Sequence, residues 1–188
     1  MLFQLRGTSG SGKTYIVNRL MSKYDFKKIL KNEKIVGYYC QDLNLFLVGS
    51  YERTCGGCDT IKTQDEICKR ILTGLKKGWN VLFEGLLPSH LAERYSKVYK
   101  WCEHRDIPVR YYFLNTPVEI CQENVQKRRI RDGKEPRVAK TLESHHHSTF
   151  KSRENLIKMG VPEECLPVMG SKEIYKDMLR LLRKEQKC

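Results

Sequence analysis

Gly7-Thr8-Ser9-Gly10-Ser11-Gly12-Lys13-Thr14 constrains this chain more than any other stretch. It has the spacing G-x-x-x-x-G-K-T. Residues 1–6 before it read as a buried strand, and residues 15–21 after it carry helical spacing. A glycine-rich loop between strand and helix is the context that cradles phosphates, with backbone N–H groups and a helix N-terminus turned toward the anion. Gly7, Ser9, Gly10, Ser11 and Gly12 are the expected cradle. Lys13 is expected to reach the β- and γ-phosphates, and the Thr14 hydroxyl to ligate Mg²⁺. The expected ligand is a nucleoside triphosphate, ATP, with Mg²⁺.

The rest of the chain alternates strands and helices. Residues 35–40 and 45–48 read as β around a turn at Asp42-Leu43-Asn44, a hairpin whose second arm enters the main sheet. Residues 26–34 are lysine-rich and carry no clear pattern. Residues 63–77 are helical, with Ile67, Ile71, Leu72 and Leu75 on one face and Gly78 as the stop. Residues 80–85 form a short buried strand ending on Glu84. Ser89 is expected to cap a helix running to about His104. A strand at 108–114 and a helix from about Pro117 follow. A polar helix at 142–159, a short strand at 166–169 and a last helix carrying Ile174, Met178, Leu181 and Leu182 complete the chain. This pattern predicts one α/β domain over 1–188. It is a three-layer P-loop fold whose parallel, roughly five-stranded sheet is covered on both faces, with the hairpin as an insertion. Ligands in such sheets bind at the carboxyl ends of the strands.

Composition narrows the partners. In 188 residues, 35 Lys and Arg stand against 22 Asp and Glu, for a net charge of +13. A triphosphate does not require that excess, whereas DNA or RNA explains it through phosphate contacts. No apolar run is long enough to span a membrane, and the first strand starts almost at Met1. The expected location is therefore the cytoplasm. Eight cysteines without a secretion signal read as free thiols. Cys55-x-x-Cys58 has half of a zinc-site spacing, but no second pair completes it.

Three groups of residues carry the candidate chemistry. Glu84 is placed like the acid that holds Mg²⁺ or its water near Thr14; a catalytic base or a substrate contact fits the position as well. Asp59, after Gly56-Gly57, is the first choice for a carboxylate that accepts an acceptor hydroxyl's proton. Its competing role is to cap the next helix. Asp42 is the reserve. In the basic segment 127–140, Arg128 and Arg131 are spaced i, i+3 and can reach one site, as a lid over transferring phosphates requires. Arg129 would point elsewhere, toward a nucleic-acid backbone. Tyr38, Tyr39, Phe46 and Tyr51 fall on the acceptor side, where an aromatic ring can stack on a base, although Phe46 reads as core. His145, His146 and His147 read as solvated helix surface.

The P-loop near the N-terminus, Glu84-Gly85, and Asn115-Thr116-Pro117-Val118-Glu119 leading to Arg128-x-x-Arg131 resemble the small P-loop kinases of the nucleoside-monophosphate-kinase-like fold. Within them, Gly49-Ser50-Tyr51 followed by Cys55-Gly56-Gly57-Cys58-Asp59-Thr60-Ile61 is similar to phage-encoded 5-hydroxymethyluracil DNA kinases. That resemblance implies transfer of the ATP γ-phosphate to the hydroxymethyl group of a modified pyrimidine in DNA. The host cytoplasm is then the site of action. It also implies Asp59 near the acceptor hydroxyl, with Tyr51, Gly56 and Gly57 on the substrate and Lys13, Arg128 and Arg131 around the γ-phosphate. Position 84 is Glu where many relatives of the wider fold have Asp. Two other readings compete: a kinase of a free nucleotide, nucleoside or polynucleotide 5′-hydroxyl, and a nucleotide-gated nucleic-acid-binding protein.

Overall fold

The computed structural model describes residues 1–52, 56–136 and 140–185. They form an α/β fold around one seven-stranded sheet, in the order β2-β3-β4-β5-β1-β6-β7. Strand β1 (Leu2–Arg6) lies in the middle, between β5 (Asn80–Glu84) and β6 (Val109–Leu114), parallel to both. Beyond β5 runs β4 (Leu45–Val48), and beyond β6 runs β7 (Val168–Met169), again parallel. These five are the parallel sheet the alternation predicted. The predicted hairpin is present too: β3 (Lys34–Cys40) pairs antiparallel with β4, and β4 then joins β5.

The lysine-rich segment adds a strand that the sequence pattern hides. Strand β2 (Lys27–Lys31) pairs antiparallel with β3 at the sheet edge. Only Ile29 is half-buried, so hydrogen bonding rather than apolar burial holds the strand. Period-two hydrophobicity has nothing to report there.

Alternation along β1 sets up the two covered faces. Phe3 and Leu5 pack with Ile16, Val17 and Leu20 of α1 (Lys13–Met21) and Ile174, Met178 and Leu182 of α7 (Ser171–Glu185). On the other face, Leu2 joins Ile67, Ile71 and Leu75 of α2 (Gln64–Lys76), as predicted. The one-turn α3 (Leu86–His90) leads into α4 (Ala92–Glu103), which adds Tyr95, Val98 and Tyr99 to that cluster. Helix α5 (Val118–Arg131) carries Cys121 and Val125 against Leu142, the first residue of α6 (Leu142–Lys158), whose Leu156 joins the larger core. Each fully buried aliphatic side chain contributes roughly 1.5–3 kcal/mol.

Ser89 departs from expectation. It is not a cap but a buried member of α3, and the chain breaks at Leu91 before α4 begins.

Candidate active site

The loop after β1 folds as its glycines require. Gly10 and Gly12 have φ of 79° and 102°, in the left-handed region that glycine enters at little cost. A Cβ on Gly10 would lie 2.2 Å from the Cys121 carbonyl oxygen, so the loop touches the α5 backbone directly. Gly12 caps α1, and Lys13 begins it. The Lys13 ammonium donates to the Gly7 and Thr8 carbonyls at 2.7 and 2.9 Å. Two further clamps hold the loop: the Thr116 hydroxyl donates to the Ser11 carbonyl at 2.8 Å, and the Asn124 amide to the Gly10 carbonyl at 2.9 Å. The Ser11 hydroxyl is buried, turned toward Gly7 and without a hydrogen-bond partner among the described residues.

Strand β5 ends on Glu84 beside this loop. The Thr14 hydroxyl donates to Glu84 Oε1 at 3.0 Å, joining the two residues expected to share Mg²⁺. Glu84 is buried, and burial pushes its carboxyl up to about 7; Asp59 adds to the rise, while Lys13 and the Thr14 hydroxyl oppose it. Burial likewise lowers the Lys13 pKa, with Glu84 and then Asp59 acting in the opposite sense. A hydroxyl and a carboxylate are the hard oxygen donors that Mg²⁺ takes, so this pair fits the ion.

Asp59 lies in a one-turn 3₁₀ segment, Cys58–Thr60, on the other side of Glu84. Its Oδ1 accepts the Leu86 N–H at 2.9 Å. It therefore does cap a helix, but α3 rather than the next one; α2 is capped by Thr63, which accepts from Glu66 N–H. Asp59 is open to solvent on one side. Protein packed on the other raises its pKa, with the Leu86 N–H and Lys13 pulling it back.

A cleft of about 570 Å³ brings these pieces together. Ser9 through Thr14, Gly56, Asp59, Glu84, Arg128 and Arg131 all line it. Two arginines more than 100 positions along the chain from the P-loop thus face the same space as Lys13, because α5 follows β6, the strand beside β1. Thr116, part of the Asn115-to-Glu119 motif noted in the sequence, lies on that wall with Ile120, Asn124, Ser171 and Lys172; the sequence reading did not single out the last four for the site. Gly57 has φ of 65°, and a Cβ there would lie 2.7 Å from the Glu84 carbonyl oxygen and 3.0 Å from the Tyr51 hydroxyl. A Cβ on Gly56 would lie 2.6 Å from the Tyr51 ring. The paired glycines thus admit Tyr51 and Glu84 against the loop. Gly7 lies below the cleft, its N–H bound by the Ser89 hydroxyl at 3.2 Å.

Residues 1–165 match the family model described as 5-hmdU DNA kinase. A 5-hmdU DNA kinase of Pseudomonas phage PaMx11 is 35% identical over 169 residues, covering 86% of this chain and 87% of that protein. A 5-hmdU DNA kinase of Delftia phage PhiW-14 is 25% identical, covering 70% of this chain and 54% of its own. The chain belongs to the 5-hmdU DNA kinase family. It is a phosphotransferase. A solved deoxyadenosine kinase from M. mycoides with bound dATP aligns at 16% identity over all of both chains; at a TM-score of 0.36 it carries no argument.

In this kinase several predicted residues lie elsewhere. Asp42 is in the turn between β3 and β4, at the sheet edge opposite the P-loop, and cannot serve the cleft. Tyr51 is not among the residues lining the cleft; its hydroxyl is buried with no hydrogen-bond partner among the described residues, and its ring packs 6.0 Å from that of Tyr38. Tyr38 and Phe46 are core, and Tyr39 packs on Trp79 with rings 4.6 Å apart, so none of these aromatics faces the cleft. Arg129 donates to the Glu135 carbonyl at 2.8 Å instead of reaching outward. Gly133 N–H bonds the Ile130 carbonyl and Lys134 N–H that of Arg129, a Schellman end to α5. Of the three histidines, His145 packs on His90 and His146 on Phe150, leaving His147 exposed. Cys58 is buried, and Cys55 and residues 137–139 of the expected lid lie outside the described residues.

One buried charge escaped the sequence reading. Arg6, the last residue of β1, is fully buried among the Tyr95, Tyr111 and Phe113 rings, 5.3–5.7 Å from their centres. It donates to the Ser89 carbonyl at 2.9 Å and to the Ser152 hydroxyl at 2.8 Å. Ser89 in turn holds Gly7, so the cation anchors the floor of the P-loop to α3 and α6. Burial lowers its pKa to about 10, which leaves it charged at neutral pH. The available signal was Gln4-x-Arg6, two polar groups on one face of an otherwise apolar strand.

Proposed function

We propose that this protein transfers the γ-phosphate of ATP to the hydroxymethyl group of 5-hydroxymethyluracil in DNA. The observation that supports this reading most is a single cleft holding Lys13, the Thr14–Glu84 pair, Asp59, Arg128 and Arg131. Phosphoryl transfer is catalysed by positioning and charge neutralisation, and the cleft supplies a group for each task. The P-loop backbone and Lys13 hold the β- and γ-phosphates. Thr14 and Glu84 would hold Mg²⁺, whose positive charge there would offset that of the phosphates.

Asp59 accepts the proton of the acceptor hydroxyl as its oxygen bonds to the γ-phosphorus and the bond to the β-phosphate oxygen breaks, releasing ADP. Arg128 and Arg131 neutralise charge that develops on the transferring group. Asp59 suits the base better than Glu84, because Glu84 is buried and already occupied by Thr14, whereas Asp59 opens to the cleft mouth. The +13 charge of the chain suits a polymeric acceptor. The protein acts where its DNA is replicated, in the host cytoplasm.

Mass analysis of nucleosides from 5-hydroxymethyluracil-containing DNA after incubation with Mg-ATP tests this. The expected product is the modified nucleoside bearing one added phosphate, with none in unmodified DNA. Phosphate found only on free nucleosides, free nucleotides or DNA 5′-ends would overturn it.

A further inference from the structure

The edge hairpin β2–β3 projects beyond the sheet at the catalytic end. Gly37 of β3 faces Val48, the last residue of β4, and the Val36 carbonyl still accepts the Gly49 N–H, so Lys34 and Ile35 with their partners Lys31 and Leu30 run past that pairing. Two residues of extended chain reach roughly 7 Å. Because β2 runs in the direction of β4, the turn at Asn32 and Glu33 emerges at the edge that also carries the P-loop and Glu84. It stands on the Asp59 side, across the cleft from the arginines of α5. Both turn residues have positive φ, 48° and 62°, as in the two-residue turn whose twist matches its strands. The ribbon is thus held out by regular structure.

Its chemistry is uneven in a way that edge protection does not explain. Residues 27–34 hold four lysines and one glutamate. Lys28 is committed to Glu52 at 3.1 Å, but no ion pair engages Lys27, Lys31 or Lys34 among the described residues. Lys31 shares a small groove with Lys69, Arg70 and Lys77 on the α2 side; its one carboxylate, Glu66, is paired with Arg70 at 2.9 Å, so the groove keeps a net positive charge. Lysines alone would suffice to keep a sheet edge from pairing with another copy. This edge also displays Leu30, 59% exposed, beside the tip. Basic groups flanking an exposed apolar side chain on a two-stranded ribbon match the major groove, which is about 12 Å wide and admits such a ribbon. A substituent on C5 of a pyrimidine projects into that same groove.

We propose that the β2–β3 ribbon is the duplex-DNA docking element. Its tip enters the major groove beside the modified base, Lys27, Lys31 and Lys34 contact flanking phosphates, and Leu30 lies against base edges. This rests on the reading that the acceptor is DNA, but its test does not depend on catalysis. Duplex binding is measured across salt concentrations for Lys31→Glu/Lys34→Glu and for a control, Lys100→Glu/Lys176→Glu, which removes equal charge from exposed positions on α4 and α7. The ribbon variant should bind duplex about tenfold or more weaker, with a salt slope shallower by roughly two contacts. The control should stay close to wild type, and ATP affinity should hold in both. Leu30→Ser should weaken duplex binding more than single-strand binding. Equal losses in ribbon and control variants, or an unchanged slope in the ribbon variant, would overturn the proposal. Absence of transfer to modified DNA by the wild type would instead sink the proposed reaction and leave this binding result to stand alone.

Discussion

The two sides of the cleft are built in different ways. The donor side is one continuous strand–loop–helix, β1 to α1, in which the glycine loop, Lys13 and Thr14 proposed to hold the triphosphate lie within eight consecutive residues. The acceptor side is assembled from distant segments: Asp59 reaches across 27 positions to bond Leu86, and Gly57 packs on Glu84 and Tyr51. Continuous backbone sets out the first side, and Thr116 and Asn124 clamp it in place. The second depends on tertiary contacts, so its residues carry structural and chemical duties at once, and substitutions there must be chosen to separate the two.

The largest effect is expected on the donor side. Lys13→Ala should reduce transfer by a factor on the order of 10³ or more and weaken ATP binding, since its ammonium is the charge proposed to meet the β- and γ-phosphates; steady-state transfer and equilibrium ATP titration read this. On the acceptor side, Gly57→Ala should damage the fold as well as the reaction. A Cβ at φ 65° meets the Glu84 carbonyl at 2.7 Å, and strain of about 1–3 kcal/mol should appear as a lower Tm. Arg128→Ala and Arg131→Ala should each lower kcat by roughly 10²-fold, with the melting temperature unmoved because both are partly or fully exposed.

A further expected effect is a pH dependence that marks the boundary between the two sides. The folded Glu84 carboxyl sits at about 7 against an ordinary 4.5. A raised acid contributes stability below its unfolded pKa and loses it as pH climbs through the folded value. Metal-free protein should therefore become less stable between pH 4.5 and 7, and Glu84→Gln should flatten that part of the profile in thermal melts.

The same contrast explains what could be read from the sequence. The P-loop, Glu84 at a strand end and Arg128-x-x-Arg131 follow local rules of spacing, and the alternation of elements gave the parallel sheet. Strand β2 was hidden because an edge strand of lysines buries almost nothing. Arg6 was passed over because a cation among aromatic rings looks, in one dimension, like the polar end of an apolar run. Tyr51 was assigned to substrate by its place in the loop, yet its neighbours across the fold turn it inward. Asp59 shows the limit most clearly: its capping role is real, but the helix it caps is not adjacent in sequence.

That double role makes Asp59 the position where the division of labour is decided. Asparagine keeps an oxygen for the Leu86 N–H while removing the charge that accepts a proton. For Asp59→Asn, ATP affinity and phosphate transfer to 5-hydroxymethyluracil DNA should be measured on one preparation. The prediction is ATP affinity within about twofold of wild type and transfer reduced by roughly 10²–10⁴-fold. Transfer at the wild-type rate would contradict it and leave Asp59 as the cap of α3 alone.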